Sequence, residues 1–281
     1  DRPNVAADLG LRPETVVVTG TPDLHSAAVG TGAMGDFETH MAISTTGWIS
    51  CPVPFKRTDI VRQIASVPGV QPGRYLIADN HETAGMCLQW LRDGVLGGDD
   101  YDALTAEAAD AAPGSGSVLF TPWLAGERSP VEDHKARGGF HNLSLQTTRA
   151  DLVRAVLEGV AYNSRWLHDA VERFAKRELG PLRIFGGGAQ SDLWCQIHAD
   201  VMDRTIERVA DPLNTGLRGA ALFAALALER VHVGEVRDLV PIDRTFTPDP
   251  ANRGVYDRLY AEFPGLYKAQ KGMFARLNRR R

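Results

Sequence analysis

The strongest hydrophobic rhythm in the chain runs over residues 148–178. Leu152, Ala155, Val156, Gly159, Val160, Leu167, Ala170, Val171 and Phe174 recur at helical spacing, which predicts one long helix with a single apolar face. Thr148 with Asp151 three residues on is a capping-box start, and Gly180-Pro181 ends the run. Arg154 and Glu158, four apart, are expected on the solvent side. A second helix is predicted over 82–96, where Ala84, Cys87, Leu88 and Leu91 share a face and Gly97-Gly98 follows. An alanine-rich helix is predicted over 101–112. The stretch 217–231 reads as a helix buried almost all round, with Gly216 and Gly219 permitting close backbone approach. Residues 255–278 read as helical but interrupted at Pro264-Gly265, and the small residues of 24–32 suit a tightly packed helix with Asp23 at its start.

Short β-branched or apolar runs between these helices read as strands: 16–19, 39–44, 48–51, 74–78, 118–120, 182–185 and 205–209. Residues 52–73, with four prolines, read as irregular, as do 121–146 and 232–254. The arginines at 279–281 read as a solvated tail. Strands that first follow one another and then alternate with helices predict an α/β protein with a mixed sheet and helices on both faces.

Composition narrows the function only by exclusion. The 281 residues are 43% hydrophobic and 23% charged with net charge −4, which gives no electrostatic case for nucleic acid or an acidic membrane. No apolar run approaches the ~18 residues of a membrane-spanning helix. Cys51, Cys87 and Cys195 fit neither a disulfide framework nor a metal-ligand spacing, so a reducing cytoplasm is the expectation. The eight histidines show no metal-binding spacing, no metal ligand is assigned, and no nucleophile elbow is present.

The candidate chemistry is carried by polar residues and glycines after strands. In LRIFGGGAQSD (182–192) a strand runs into Gly186, Gly187 and Gly188, and Ser191 can cap the next helix. Glycines let a backbone approach an anion whose charge faces the helix N–H groups, although three glycines are more often a tight turn. Asp23 follows a strand and a Gly-Thr-Pro turn, and stands equally as a general base or as a helix N-cap. Thr45-Thr46-Gly47 can offer hydroxyls and N–H groups to an anion or form a plain hairpin turn. Gly85, inside a helical pattern at a cost of ~1 kcal/mol relative to Ala, implies that a helix or a ligand comes close. Glu127, Arg128, Asp133 and Arg137 are expected to form an ion-pair set that pins the long loop.

Taken together these segments resemble the FGGY carbohydrate kinases, and xylulokinases in particular. TGTPDLHSAAVGTGA (19–33) resembles the stretch with the catalytic Asp. STTGW (44–48) resembles the Gly-Thr-Ser-Gly phosphate loop. ETAGMCLQWLRDG (82–94), LAGERSP (124–130) with ARGGFHNL (136–143), RADLVRAVLEGVAY (149–162) and the adenosine-motif-like FGGGAQSDLWCQIHADVM (185–202) follow in the family's order.

The resemblance implies a ribonuclease-H-like, actin-like ATPase architecture with an ATP cleft between two domains. It implies that Asp23 deprotonates a sugar or polyol hydroxyl, that Thr45 and Thr46 belong to the phosphate loop, and that Gly85 lies near the nucleotide. Gly187, Gly188 and Ala189 would back the phosphates and Ser191 would lie near the adenosine. The implied cofactors are ATP and Mg²⁺, the latter held through water and carboxylates. Residues 1–35 would be the edge of an N-terminal domain and 36–281 the nucleotide-binding domain. The partner would be a small sugar, a ketopentose such as xylulose first, with glycerol, gluconate or another ketose as alternatives; a homodimer is allowed. The chain departs from the family by lacking the N-terminal domain with its Asp-x-Gly-Thr loop, so that alone it should not be a competent kinase. It also departs at Ser44 for Gly, Leu24 for Asn and Asn142 for Gly. A non-catalytic nucleotide-binding module is the rival that Ser44 and Leu24 favour.

Overall fold

The computed structural model describes residues 3–12, 14–98 and 100–279; Arg280 and Arg281 of the expected tail lie outside them. Helix α1 (Pro3–Asp8) leads through an irregular stretch to α2 (Asp23–Gly30). The strands β1 (Thr39–Ile43), β2 (Gly47–Ser50), β3 (Pro52–Val53), β4 (Thr58–Asp59), β5 (Ile64–Pro68) and β6 (Tyr75–Ala78) follow. Then come α3 (Gly85–Gly94), α4 (Tyr101–Asp110), β7 (Leu119–Thr121), β8 (Gly139–His141) and the long α5 (Arg149–Ala175). The chain closes with β9 (Leu182–Phe185), α6 (Asp192–Met202), β10 (Ile206–Val209), α7 (Thr215–Ala227), β11 (Ile242–Phe246) and α8 (Arg253–Leu277).

The central sheet has the order β11-β10-β9-β1-β2. It is mixed, as expected: β1, β9 and β10 are parallel neighbours, while β2 and β11 run antiparallel at the edges. Alternation along the strands builds two cores. Met41, Ile43, Leu182, Ile184 and Ile206 face the larger one, which holds α5, α6 and α8. Ala42, Phe185 and Val209 face the other side with Ala27 of α2 and Leu222 of α7. Helices therefore cover both faces. The capping box at α5 forms as expected: Thr148 N–H donates to Asp151 Oδ2 at 2.9 Å and Asp151 N–H to Thr148 Oγ1 at 3.2 Å.

Several expectations are corrected, each for a physical reason. Residues 16–19 form no strand, and Val16 and Val17 are 63% and 68% exposed, because no neighbouring strand among the described residues supplies a ladder. Residues 52–73 are not irregular: β3, β5 and β4 join β6 in a second sheet of order β3-β6-β5-β4. The two-residue strands β3 and β4 are too short to show a period. Within 121–146, β8 pairs with β7, and within 232–254, β11 is an edge strand whose Asp243, Arg244 and Thr245 are exposed. Charge on an edge strand protects the edge but hides the strand from a hydrophobicity reading. Helix α8 continues through Pro264 without interruption.

Two helices sit differently from their predicted environments. Only Thr215 and Gly219 of α7 are buried, and Leu217 is 72% exposed, so this helix is not enclosed. It packs on α2 where glycines meet: a Cβ on Gly219 would fall 1.8 Å from the Ser26 carbonyl oxygen, whereas one on Gly216 would meet nothing within 4 Å. Arg154 and Glu158 are not on the solvent side but buried together. Arg154 Nε donates to Glu158 at 2.7 Å, and the same carboxylate accepts from Gly114 N–H, Ser115 Oγ and Tyr256 OH. An i,i+4 pair looks the same in sequence whether water or a neighbouring helix covers it.

Candidate nucleotide site

The site starts at two turns that leave the carboxyl ends of adjacent parallel strands. Strands β1 and β9 pair with Ala42 opposite Phe185, so the turn after Ile43 and the turn after Phe185 lie side by side. Crevices at this end of a parallel sheet are where α/β folds bind ligands. The glycines make the approach feasible. Gly186 has φ +98°, and a Cβ there would lie 2.5 Å from the Ile43 carbonyl oxygen; one on Gly188 would lie 2.3 Å from Ile43 Cγ2. Gly187, by contrast, is open on its outer side, with only Leu213 at 3.9 Å.

The first turn, Ser44-Thr45-Thr46, is tied down by the start of α3. Gly85 N–H donates to Ser44 O at 2.6 Å, while Ala84 N–H and Met86 N–H donate to Thr45 O at 3.0 and 3.3 Å. Gly85 is thus the first residue of α3, not an interior one, and the turn's own backbone comes close to it: a Cβ would stand 2.5 Å from Ser44 O. Ser191 caps α6, accepting from Trp194 N–H at 3.2 Å, and Trp194 Nε1 donates to Leu157 O of α5 at 3.0 Å. The α6 N-terminus is therefore fixed beside the glycine turn, a disposition that favours an anion.

A cavity of about 760 Å³ joins these parts. Ser44, Thr45, Gly85, Gly187, Gly188 and Ser191 line it together with Tyr101, Asp102, Thr105 and Ala106 of α4 and with Leu193 and Leu213. It is in the size range of small-molecule sites and pairs an apolar wall with convergent polar groups. Five of the candidate residues, Thr45, Gly85, Gly187, Gly188 and Ser191, are brought together there. Three are not among its lining residues. Thr46 closes the hairpin, its carbonyl accepting from Ser44 N–H at 3.0 Å. Ala189 is buried, and its carbonyl accepts from Cys195 Sγ and Arg208 Nη1, both at 3.3 Å. Asp23 is exposed in the first turn of α2, where its Oδ1 accepts from Leu24 N–H at 2.8 Å; Pro22, not Asp23, is the N-cap residue.

The α4 wall escaped the sequence reading. Tyr101, Thr105 and Ala109 recur every four residues on the face next to the buried Leu104 and Ala108, so the cavity stripe was present as a second periodicity. The expected ion-pair set at 127–137 does not form. Glu127 is fully buried and accepts from Glu82 N–H, Arg128 N–H and Asn163 Nδ2 at 3.0, 2.9 and 2.6 Å. Arg128 pairs with Glu82 at 3.0 Å, and Arg137 donates to the carbonyls of His134 and Ala136. Burial pushes the Glu127 carboxyl up to about 8 against the pull of these donors, and burial likewise lifts Asp79 to about 7.

The residues of the cavity fit a nucleotide, with open glycine backbone and hydroxyls beside an apolar wall. Two carboxylates line the cavity: Asp192 is already held by Arg208 at 2.6 Å and by Arg244, and the exposed Asp102 of α4 is the other that Mg²⁺ could use, directly or through water.

Two turns at the carboxyl ends of neighbouring parallel strands, on a mixed sheet with helices on both faces, define the class of α/β ligand-binding proteins, and comparison with known proteins makes the class specific. Residues 32–228 match the model for the FGGY family of carbohydrate kinases, C-terminal domain. The chain belongs to this family. It is similar to a xylulose kinase of Staphylococcus epidermidis, 31% identical over 279 residues, covering 98% of this chain and 55% of the relative. It is also similar to a gluconokinase of Bacillus licheniformis, 27% identical, again over 98% of this chain and 55% of the relative. A ligand-bound xylulose kinase structure from Lactobacillus acidophilus shares the fold at TM-score 0.91 and 22% identity, over 99% of this chain and 56% of that one. The chain thus spans about half the length of the relatives it matches, and its fold is that of the actin-like ATPases to which these kinases belong.

Proposed function

We propose that this chain is the nucleotide-binding half of a kinase that transfers the γ-phosphoryl group of ATP to a hydroxyl of a sugar, a ketopentose such as xylulose first. The observation that carries the reading is the cavity in which the Ser44–Thr45 turn, the 186–188 glycine turn and the capped start of α6 converge. Phosphoryl transfer asks for positioning and charge stabilisation more than for covalent chemistry. In this reading Thr45 and the open backbone at Gly187 hold the phosphates, and Ser191 with the α4 wall holds the nucleoside. Mg²⁺, when bound, would neutralise the phosphate oxygens, reached from this chain by Asp102 directly or through water. Asp23 would accept the proton of the sugar hydroxyl. Its place at the start of α2, outside the cavity, suits a group that acts on an acceptor delivered by another domain.

The same reading assigns residues 1–35 to the edge of such a preceding domain and 36–281 to the nucleotide-binding domain. The exposed Val16 and Val17 support it, as apolar residues awaiting a partner. A cytoplasmic setting agrees with three free, buried cysteines; among the described residues no helix is long and apolar enough to cross a membrane. Gluconate is the second substrate reading, favoured by the gluconokinase similarity. The test is a coupled assay of ADP release by the full-length protein with ATP and a panel of ketopentoses, gluconate and polyols. Release that depends on one of these sugars is expected. ATP binding with no sugar-dependent release would favour the non-catalytic module.

A further inference from the structure

The GERSP segment, residues 126–130, lies outside the cavity, yet its bonds lead to it. Glu127 is wholly buried and collects the N–H groups of Glu82 and Arg128 on one oxygen and the Asn163 amide on the other. Asn163 is held in turn by Trp123, whose Nε1 donates to its Oδ1 at 3.2 Å. Ser129 N–H donates to Asn80 O at 3.0 Å, and Asn80 Nδ2 donates to His81 O at 2.9 Å. The 80–82 segment is thus bolted to the 127–129 segment at both ends. From there the bonds continue: His81 N–H donates to Gly47 O at 2.7 Å, and Ala84, Gly85 and Met86 donate to the carbonyls of Ser44 and Thr45.

We propose that Glu127 is a positioning residue, a buried clamp that fixes the 80–86 segment and through it the Ser44–Thr45 phosphate turn, so that nucleotide affinity depends on a carboxyl group that never touches the nucleotide. The proposal rests on the nucleotide reading of the cavity. It explains why an acidic residue is spent in the interior: two backbone N–H groups from separate loops need one acceptor of this reach. Asp, one methylene shorter, cannot keep both donors and Asn163 together. Outer hydrogen-bond partners of metal ligands change affinity by about 10–100-fold when removed, and a turn held in the same way is expected to respond at the lower end of that range.

The test uses the 281-residue chain and ADP as the probe, with amide hydrogen exchange in parallel. Glu127→Ala and Glu127→Asp are expected to weaken ADP binding about tenfold and to speed exchange at Ala84, Gly85 and Met86. The double variant Glu127→Gln with Asn163→Asp exchanges donor and acceptor across the same bond and keeps an acceptor for Trp123, and is expected to bind within about threefold of the wild type. Leu259→Ala, a core change in α8, controls for lost stability and is expected to leave both readouts in place. Wild-type affinity and unchanged exchange in Glu127→Ala and Glu127→Asp would overturn the clamp. Failure of the wild type to bind ADP would instead overturn the nucleotide reading, while the exchange arm would still decide whether Glu127 holds the turn.

Discussion

Replacing Gly85 by Ala places one methyl group where α3 meets the Ser44–Thr45 turn. The new Cβ would sit 2.5 Å from the Ser44 carbonyl oxygen, and that oxygen is backbone, held by the Gly85 N–H at 2.6 Å. A carbon–oxygen contact settles near 3.3–3.6 Å, so the turn must retreat by about an ångström. Overpacking of this kind costs ~1–3 kcal/mol, offset in part by the ~0.4–1 kcal/mol that Ala contributes by restricting the unfolded chain. A net loss of about 1–2 kcal/mol lowers Tm by only a few degrees in a chain of this size. The effect on the ligand is expected to be larger, because positioned groups are sensitive to shifts of ~1 Å, which in catalysis cost on the order of 10²-fold in rate. The expected result is a fall in ADP affinity of about 10–100-fold, read by fluorescent-nucleotide titration, with a well-folded protein by thermal melting. Gly216→Ala, whose Cβ meets nothing within 4 Å, is the matched control. Wild-type ADP affinity in Gly85→Ala would refute the assignment of the 44–46 turn to the phosphates.

Asp23→Asn in the full-length protein is expected to abolish sugar phosphorylation while leaving ATP binding nearly intact; retained turnover by coupled assay would remove Asp23 from the role of base. Glu158→Ala strands a buried Arg154 and is expected to cost ~3–5 kcal/mol in urea unfolding; a loss under about 1 kcal/mol would mean that the pair is solvated. Burial holds His40 and His81 down to about 3 and His168 and His198 to about 4. In the unfolded chain they protonate first, so their contribution is lost as pH falls below about 6.5, at up to ~1.4 kcal/mol per pH unit each. Glu127 acts in the opposite sense: with its carboxyl raised to about 8, stability falls as pH climbs from about 4.5 to 8. Chemical denaturation across this range is expected to show a steep acid limb, and Glu127→Gln should flatten the alkaline one.

The sequence carried the frame of the fold well because the frame rests on periodicity. The rhythm from Leu152 to Phe174, the Thr148 capping box and the Leu182–Phe185 strand are local signals, and each stands where it was expected. What failed depends on what lies across from a residue. Arg154–Glu158 needed Tyr256, about a hundred positions away, to be recognised as buried. Val16 and Val17 have strand chemistry but, among the described residues, no strand beside them, and β11 has a strand's backbone under charged side chains. The site was half legible. Glycines after strands pointed to Gly187 and Gly188, whereas helix propensity treated Gly85 as an interior residue when it opens α3, its glycine required by the Ser44 carbonyl beside it. The α4 wall and the Glu127 clamp stayed hidden, since a small-residue stripe and a buried carboxylate look in sequence like an ordinary surface.

The proposed function requires that the cavity between the 44–46 turn, the 186–188 turn and α4 hold the nucleotide. Amide hydrogen exchange of the 281-residue chain with and without saturating ADP tests it directly. Slowed exchange at the 44–47 turn, at Gly85–Leu88, across 187–194 and along the Tyr101–Ala109 stripe is the predicted outcome. Saturable ADP binding that protects other segments and leaves these unchanged, or no binding at all, would contradict it.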